Sequence, residues 1–270
     1  MKKALKSFFS SLRFKLSASD SFLFTGYYKR FYNPKPGTLE STLSAYSKKV
    51  GETFTVVQVG ANDGINHDPI HKFIKRDRWN GVLLEPQKYV FDQFLSKLYK
   101  NHPNLSVLNA AMGAENGEAT IYKIGFSEAR WATGLTTFDR PTLEKAFTSG
   151  HVQRKCTKDN TSIPTDESKH IVEEKVRIIS SASLLKEYNI SKVDLLMIDT
   201  EGFDYEIIKF FQIEINAPQM IIFEHSHLSE VDYTECINHL KNNGYDVKKD
   251  GPNTAAIKSE LNEYPDYFNQ

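Results

Sequence analysis

The chain has 270 residues, enough for one α/β domain with insertions and a sizeable core, and two independent domains are not required. Lys plus Arg and Asp plus Glu both total 34, so no net field favours nucleic acid or an acidic polymer, and any charge preference must be local. Cys156 and Cys236 are the only cysteines and neither has a CxxC partner, which argues against a disulfide framework or zinc knuckle and for a reducing, cytoplasmic setting.

Residues 1–16, MKKALKSFFSSLRFKL, carry five basic residues and no acid, with Leu5, Phe8, Phe9, Leu12 and Leu16 at helical spacing. A signal peptide needs an unbroken apolar run that this segment lacks. No later stretch approaches the roughly 18 apolar residues of a membrane span. The segment is expected to be a basic amphipathic helix that either packs on the domain or touches the inner face of an anionic membrane. Residues 1–50 are read as this helix and a lead-in, and 51–270 as the catalytic domain.

Strand-like and helical stretches then alternate, the pattern of a doubly wound, mostly parallel sheet with helices on both faces. A first strand, 54–59, runs into Gly60-Ala61-Asn62-Asp63-Gly64, and a helix holding Ile70, Phe73 and Ile74 follows. A second strand, 81–85, ends at Glu85, and Pro86 opens a helix with Val90, Phe91, Phe94, Leu95 and Leu98 in one stripe. Residues 107–111 and 119–124 read as further strands, forming a hairpin around 113–117. From about 126 to 176 the sequence is polar with little periodicity, an insertion of the kind that carries substrate specificity. Regularity resumes with a helix at 183–188, strands at 193–198 and 219–224, each followed by a helix, and an antiparallel closing pair at 244–248 and 254–258.

Ligands of such sheets sit at the carboxyl ends of the strands where strand order reverses. Gly60 and Gly64 allow a tight turn and close backbone approach, and the next helix start offers free N–H groups. Glu85 lies 21 residues beyond Gly64, the spacing at which a carboxylate meets the ribose hydroxyls of a nucleoside cofactor. Position 62 is Asn where a pyrophosphate cradle wants Gly, so a cofactor without phosphate fits better.

Val56 to Gly64 (VVQVGANDG), Leu83 to Pro86 (LLEP), Asn109 to Gly113 (NAAMG) and Asp194 to Glu206 (DLLMIDTEGFDYE) resemble the FkbM family of methyltransferases over roughly residues 54–258. The resemblance implies a Rossmann-like class I methyltransferase fold, a seven-stranded sheet with an antiparallel last strand. It also implies S-adenosylmethionine as donor and O-methylation of a hydroxyl, often on a sugar or a natural product; a sugar in a glycan or glycosylated metabolite is the acceptor expected here. Carried over residue by residue, it puts Gly60, Ala61, Asn62 and Gly64 around the methionine end of the cofactor and Glu85 on its ribose. Asn109, Ala110 and Ala111 approach the adenine. Many class I enzymes have an acid where this chain has Gln58, which can still accept a hydrogen bond but without charge.

Methyl transfer to a hydroxyl requires an aligned oxygen and a group to take its proton. Asp199 is the first candidate, with His225 and His227 as alternatives. Glu201 and Asp204 are expected near the acceptor, and Asp199, Glu201 and Glu224 could instead hold Mg²⁺. The insertion contributes Arg130, Trp131, Thr136, His151 and Arg154, a mixture suited to sugar faces, in which Trp131 either anchors the loop or lines a pocket. Two alternatives are carried: a metal-dependent nucleotide-sugar glycosyltransferase, suggested by Asp199-Thr200-Glu201 after a buried strand, and a non-catalytic binding module. A nucleic-acid acceptor is not expected.

Overall fold

A computed structural model describes residues 2–261 and Tyr267, with side chains from Phe8 onward. Three helices, α1 (Lys2–Ala18), α2 (Phe22–Arg30) and α3 (Leu39–Val50), precede the first strand. Ser21 and Thr38 start the second and third by accepting from Leu23 N and Ser41 N, satisfying amides that have no partner inside the helix. The side chains of Lys2, Lys3, Leu5 and Lys6, part of the expected membrane helix, lie outside the described residues.

Next come β1 (Thr55–Val59), α4 (His71–Asp77) and β2 (Asn80–Leu84). A helix in three parts follows, α5 (Lys88–Val90), a π-helical turn at Phe91–Leu95 and α6 (Ser96–Tyr99), and then β3 (Leu105–Leu108). The chain continues through β4 (Ala111–Gly113), β5 (Gly117–Ile124), α7 (Arg130–Thr133), α8 (Arg140–Thr148), α9 (His151–Asp159) and β6 (Ile171–Ser180). The last part is α10 (Ser181–Glu187), β7 (Leu195–Ile198), α11 (Asp204–Phe211), α12 (Ile213–Asn216), β8 (Met220–Glu224), α13 (Glu230–Asn242), β9 (Tyr245–Asp250) and β10 (Asn253–Lys258).

The main sheet has seven strands in the order β3-β2-β1-β7-β8-β10-β9, with β10 antiparallel to both its neighbours. The chain steps outward from β1 to β3 and then returns to lay β7 beside β1, so strand order reverses between those two. A crevice at the carboxyl end of such a switch is where this class of sheet binds ligands. Successive strand residues point to opposite faces, and both faces are buried. Val56, Leu195 and Ile222 join one core with Phe73, Trp79 and Leu98, while Val57, Leu196 and Ile221 join the other with Ile208, Phe211 and Leu240. Leu43 and Tyr46 of α3 belong to the first core.

The expected hairpin is corrected. β4 and β5 do not pair with each other; both pair with β6, parallel and antiparallel respectively, in a separate three-stranded sheet. The reading of residues 126–176 as irregular is corrected too, since α7, α8, α9 and the start of β6 lie there. Their own small core is Ile124, Ala132, Leu143, Val152 and Cys156. Two alternating patterns hide β6: its outward residues Glu173, Lys175 and Arg177 are charged, and its inward ones are few.

The N-terminal helices are fastened by polar chemistry as well as by packing. Ser17 Oγ lies 2.9 Å from His71 Nε2, and His71 Nδ1 lies 2.9 Å from the Tyr99 hydroxyl, a buried chain linking α1, α4 and α6. Burial holds the His71 imidazole well below its ordinary pKa, in its neutral form. Among the described residues no helix is long and apolar enough to cross a membrane.

Candidate active site

The loops after β1, β2 and β7 meet at the switch point, and one glycine makes that meeting possible. Gly60 has φ 82°, and a Cβ built there would fall 1.9 Å from the Asp199 carbonyl oxygen, so a side chain is excluded by both conformation and space. The next turn is shaped by Asn62 at φ 47°, a left-handed conformation that Asn tolerates better than most residues. Gly64 also stands in the left-handed region, at φ 71°, and a Cβ there would crowd the Leu95 and Leu98 side chains.

A cleft of about 650 Å³, solvent at its mouth included, opens between this loop, the end of β2, the end of β7 and the insertion. Its apolar lining includes Val59, Ala110, Ala111, Met112, Ile121 and Phe138, and its polar lining includes Asn62, Glu85, Gln87, Arg130, Asp199 and Glu201. Glu85 is buried at the end of β2. Its two oxygens accept from Asn62 N and Gln87 N, each at 2.8 Å, and burial outweighs both bonds to push its pKa up to about 7. Each oxygen keeps a second lone pair, and the residue faces the cleft.

Four carboxylates crowd the β7 and β8 ends. Asp199 is raised to about 6, by burial first and by Glu224 second, and Glu201 to about 8, by burial and then by Asp199. Arg130, at the start of α7, opposes both shifts and sits 4.0 Å from Asp63. Its buried Nε has no hydrogen-bond partner within the protein. Glu201 Oε2 is 3.2 Å from His227 Nε2. Glu201, Glu224 and His227 each bring a ligand atom within 4.8 Å of the others, so among the described residues the group able to hold a cation contains His227 in place of the expected Asp199.

Several expected residues stand elsewhere. Asp204 is fully buried and accepts from Thr200 Oγ1, Gly202 N and Glu224 N at 3.0, 3.3 and 3.2 Å, tying the β7 loop to β8 instead of facing the cleft. Asn109 donates to the carbonyls of Glu85 and Pro86, both at 2.8 Å, so it braces the β2 loop. Gln58 donates to Asp68 at 3.2 Å beneath the loop, leaving its own buried Oε1 unpartnered. Neither it nor Ala61, Gly64 or Asn109 lines the cleft. His225 is held 3.0 Å from Thr254 Oγ1 against the Tyr233 ring, also off the cleft. Trp131 takes the anchoring role, donating to Asp159 at 3.3 Å beside Phe126.

Residues that sequence reasoning leaves out come from the insertion and its seam. Gln87 donates to Thr133 O at 3.0 Å and accepts from Thr136 Oγ1 at 2.8 Å, clasping the insertion onto the β2 loop. Only the Pro86 turn signals that Gln87 faces a site, and nothing in sequence signals its partners.

The model of the Methyltransferase FkbM domain matches residues 58–247 of this chain. No curated protein sequence matches it. Among solved structures, an FkbM methyltransferase from Methylobacillus flagellatus KT is 10% identical, with a TM-score of 0.44 over 76% of this chain; the chain spans 43% of that protein. A precorrin-6y C5,15-methyltransferase from Geobacter metallireducens GS-15 is 11% identical, at a TM-score of 0.37 over 85% of this chain and 94% of that one. The N-terminal domain of human METTL16, solved with SAH, is 10% identical, at 0.38 over 84% and 72%.

Proposed function

The chain belongs to the FkbM methyltransferase family, and from that premise we propose that this S-adenosylmethionine-dependent enzyme methylates a hydroxyl oxygen of a sugar, in a glycan or a glycosylated metabolite. Family membership sets aside the nucleotide-sugar glycosyltransferase. The donor fits the cleft on one observation above others: Glu85 is a buried carboxylate with spare lone pairs and no cation bonded to it, a site short of hydroxyl donors. Ribose hydroxyls would supply them, lowering the cost of its charge. Asn62 and Gly60 would lie along the methionine end, and Ala110, Ala111 and Met112 along the base.

S-adenosylmethionine, when bound, supplies an electrophilic methyl group on a sulfonium. The chain's own task is to orient an oxygen in line with it and receive a proton. Asp199 suits the second task, because at neutral pH a group with a pKa near 6 is ionised yet basic enough to act. Glu201, near 8, is largely protonated there and suited to donating a hydrogen bond to the acceptor. A basic carboxylate beside a protonated carboxyl suits hydroxyls, which must lose a proton, better than thioethers, which have none to lose. Arg130 offers donors and Asp199 an acceptor in the same cleft, a combination that matches vicinal sugar hydroxyls.

The test is calorimetric titration with S-adenosylmethionine and S-adenosylhomocysteine, beside Glu85→Ala, followed by label transfer to a sugar panel. Micromolar binding abolished in Glu85→Ala, with label in alkali-stable methyl ethers, is expected. Label in alkali-labile esters or on nitrogen would overturn the hydroxyl assignment. Chelator is expected to leave turnover unchanged; loss that Mg²⁺ restores would move the activating role to an ion on Glu201, Glu224 and His227.

A further inference from the structure

Seven of the ten exposed large apolar side chains among the described residues fall within residues 8–31. In α1 these are Phe8, Phe9 and Leu12; in α2 they are Phe22, Leu23 and Tyr27, continued one turn on by the C-cap residue Phe31, with Phe22 84% and Phe31 73% exposed. This is not an undocked segment waiting for its place. The inner faces of the same helices are already seated: Phe14 packs edge-on to Phe94, Phe24 is buried against His71, and Ser17 joins the buried polar chain. The aromatic face is what remains after that packing is complete.

Charge follows the same division. Residues 1–39 hold eight basic side chains, Lys29 and Arg30 among them, and one acid, Asp20. Asp20 is turned inward, 2.7 Å from the buried Lys75 ammonium. The excess of seven positive charges is balanced by an equal acidic excess over the rest of the neutral chain. A second copy of this face would bring like charges together, whereas an anionic surface would neutralise them. Phe8 to Arg13 are all exposed, so this stretch of α1 makes no part of the domain's core.

We propose that α1 and α2 form an interfacial anchor for a bilayer rich in anionic phospholipid, with the aromatic and aliphatic side chains in the headgroup boundary and the lysines and arginines on the phosphates. The occupant is the lipid surface, not a particular headgroup.

The experiment is flotation of the full chain with phosphatidylcholine vesicles and with the same vesicles carrying phosphatidylglycerol. Binding to the anionic vesicles that weakens with salt is expected, falling about tenfold or more in Phe8→Gln/Phe9→Gln/Leu12→Gln and in Phe22→Gln/Leu23→Gln/Phe31→Gln. Calorimetric affinity for S-adenosylmethionine, unchanged in both triple variants, verifies that the fold survives, and so keeps this test separate from the catalytic one. Absence of wild-type binding to anionic vesicles overturns the proposal. So does a lipid-free dimer that dissociates in the same variants, which would assign the face to a second copy.

Discussion

Gly60 and Asp199 are the two residues at which the site is most sharply constrained. Adding one methyl group at Gly60 drives it into the Asp199 carbonyl in a conformation L-residues avoid, so Gly60→Ala is expected to cost roughly 2–3 kcal/mol and to abolish donor binding, read by chemical unfolding and calorimetry. Asp199→Asn keeps shape and removes basicity; turnover should fall about 10²- to 10⁴-fold while donor affinity holds. The wild-type rate should climb as pH rises through about 6, where Asp199 loses its proton, and a stopped assay across pH 5–8 with Asp199→Asn as the flat control tests this. Gly60, Glu85 and Asp199 could be picked from sequence because each ends a strand and breaks its apolar run. Asn109 ends a strand in the same way and Asp204 completes the carboxylate cluster after β7, yet the polar atoms of both are consumed within the loops, and sequence does not say where a lone pair points. Arg130 and Thr136 are legible only as part of the insertion's composition; they reach the cleft from another sheet's connection, so no spacing could place them beside Glu85 or Asp199.

At the level of elements, the central strands β1, β7 and β8 are legible because both their faces are buried and each reads as a nearly unbroken apolar run. The second sheet is harder to see. β4 has three residues, and β6 alternates charged with half-buried side chains, so neither announces itself before its partner is known. The insertion's helices fail for a related reason: each buries only one or two residues, such as Leu143 in α8 and Val152 and Cys156 in α9. Those few residues make the insertion a cooperative unit with a core of its own. Leu143→Ala is therefore expected to cost roughly 3 kcal/mol locally, raising amide exchange across residues 126–159 while strands β1 and β7 stay protected. Acceptor KM should rise and donor affinity should not, because Gly60 and Glu85, proposed to hold the donor, follow strands of the main sheet.

For the molecule as a whole, buried carboxylates in and behind the cleft make stability depend on pH. Asp68 and Asp199 near 6, Glu85 and Asp204 near 7 and Glu201 near 8 are all harder to ionise folded than unfolded. The unfolded chain therefore gives up protons first as pH rises, and the stability these groups confer, present in full below about pH 4, declines through pH 5–8. His71 works on the other side: its depressed pKa means that acidification below its unfolded value of about 6.5 favours the unfolded chain. Thermal melts of the free enzyme are expected to drop from about pH 6 to pH 8, and saturating donor should flatten that drop by giving Glu85 hydroxyl partners. A melting temperature that rises over the same interval would contradict the origin assigned to these shifts.

The pairing of Ile124 with Ile171 has a consequence for how such chains diversify. The segment between them leaves and re-enters on adjacent antiparallel strands, so its two ends are neighbours in space although 47 positions apart in sequence. Recombination can lengthen, shorten or exchange a segment with adjoining ends at little entropic cost, because the closure is already made by the strands outside it. With most of its own core travelling inside the exchanged piece, such an event would, on the proposed reading, change the acceptor side of the cleft and leave the donor side as it was.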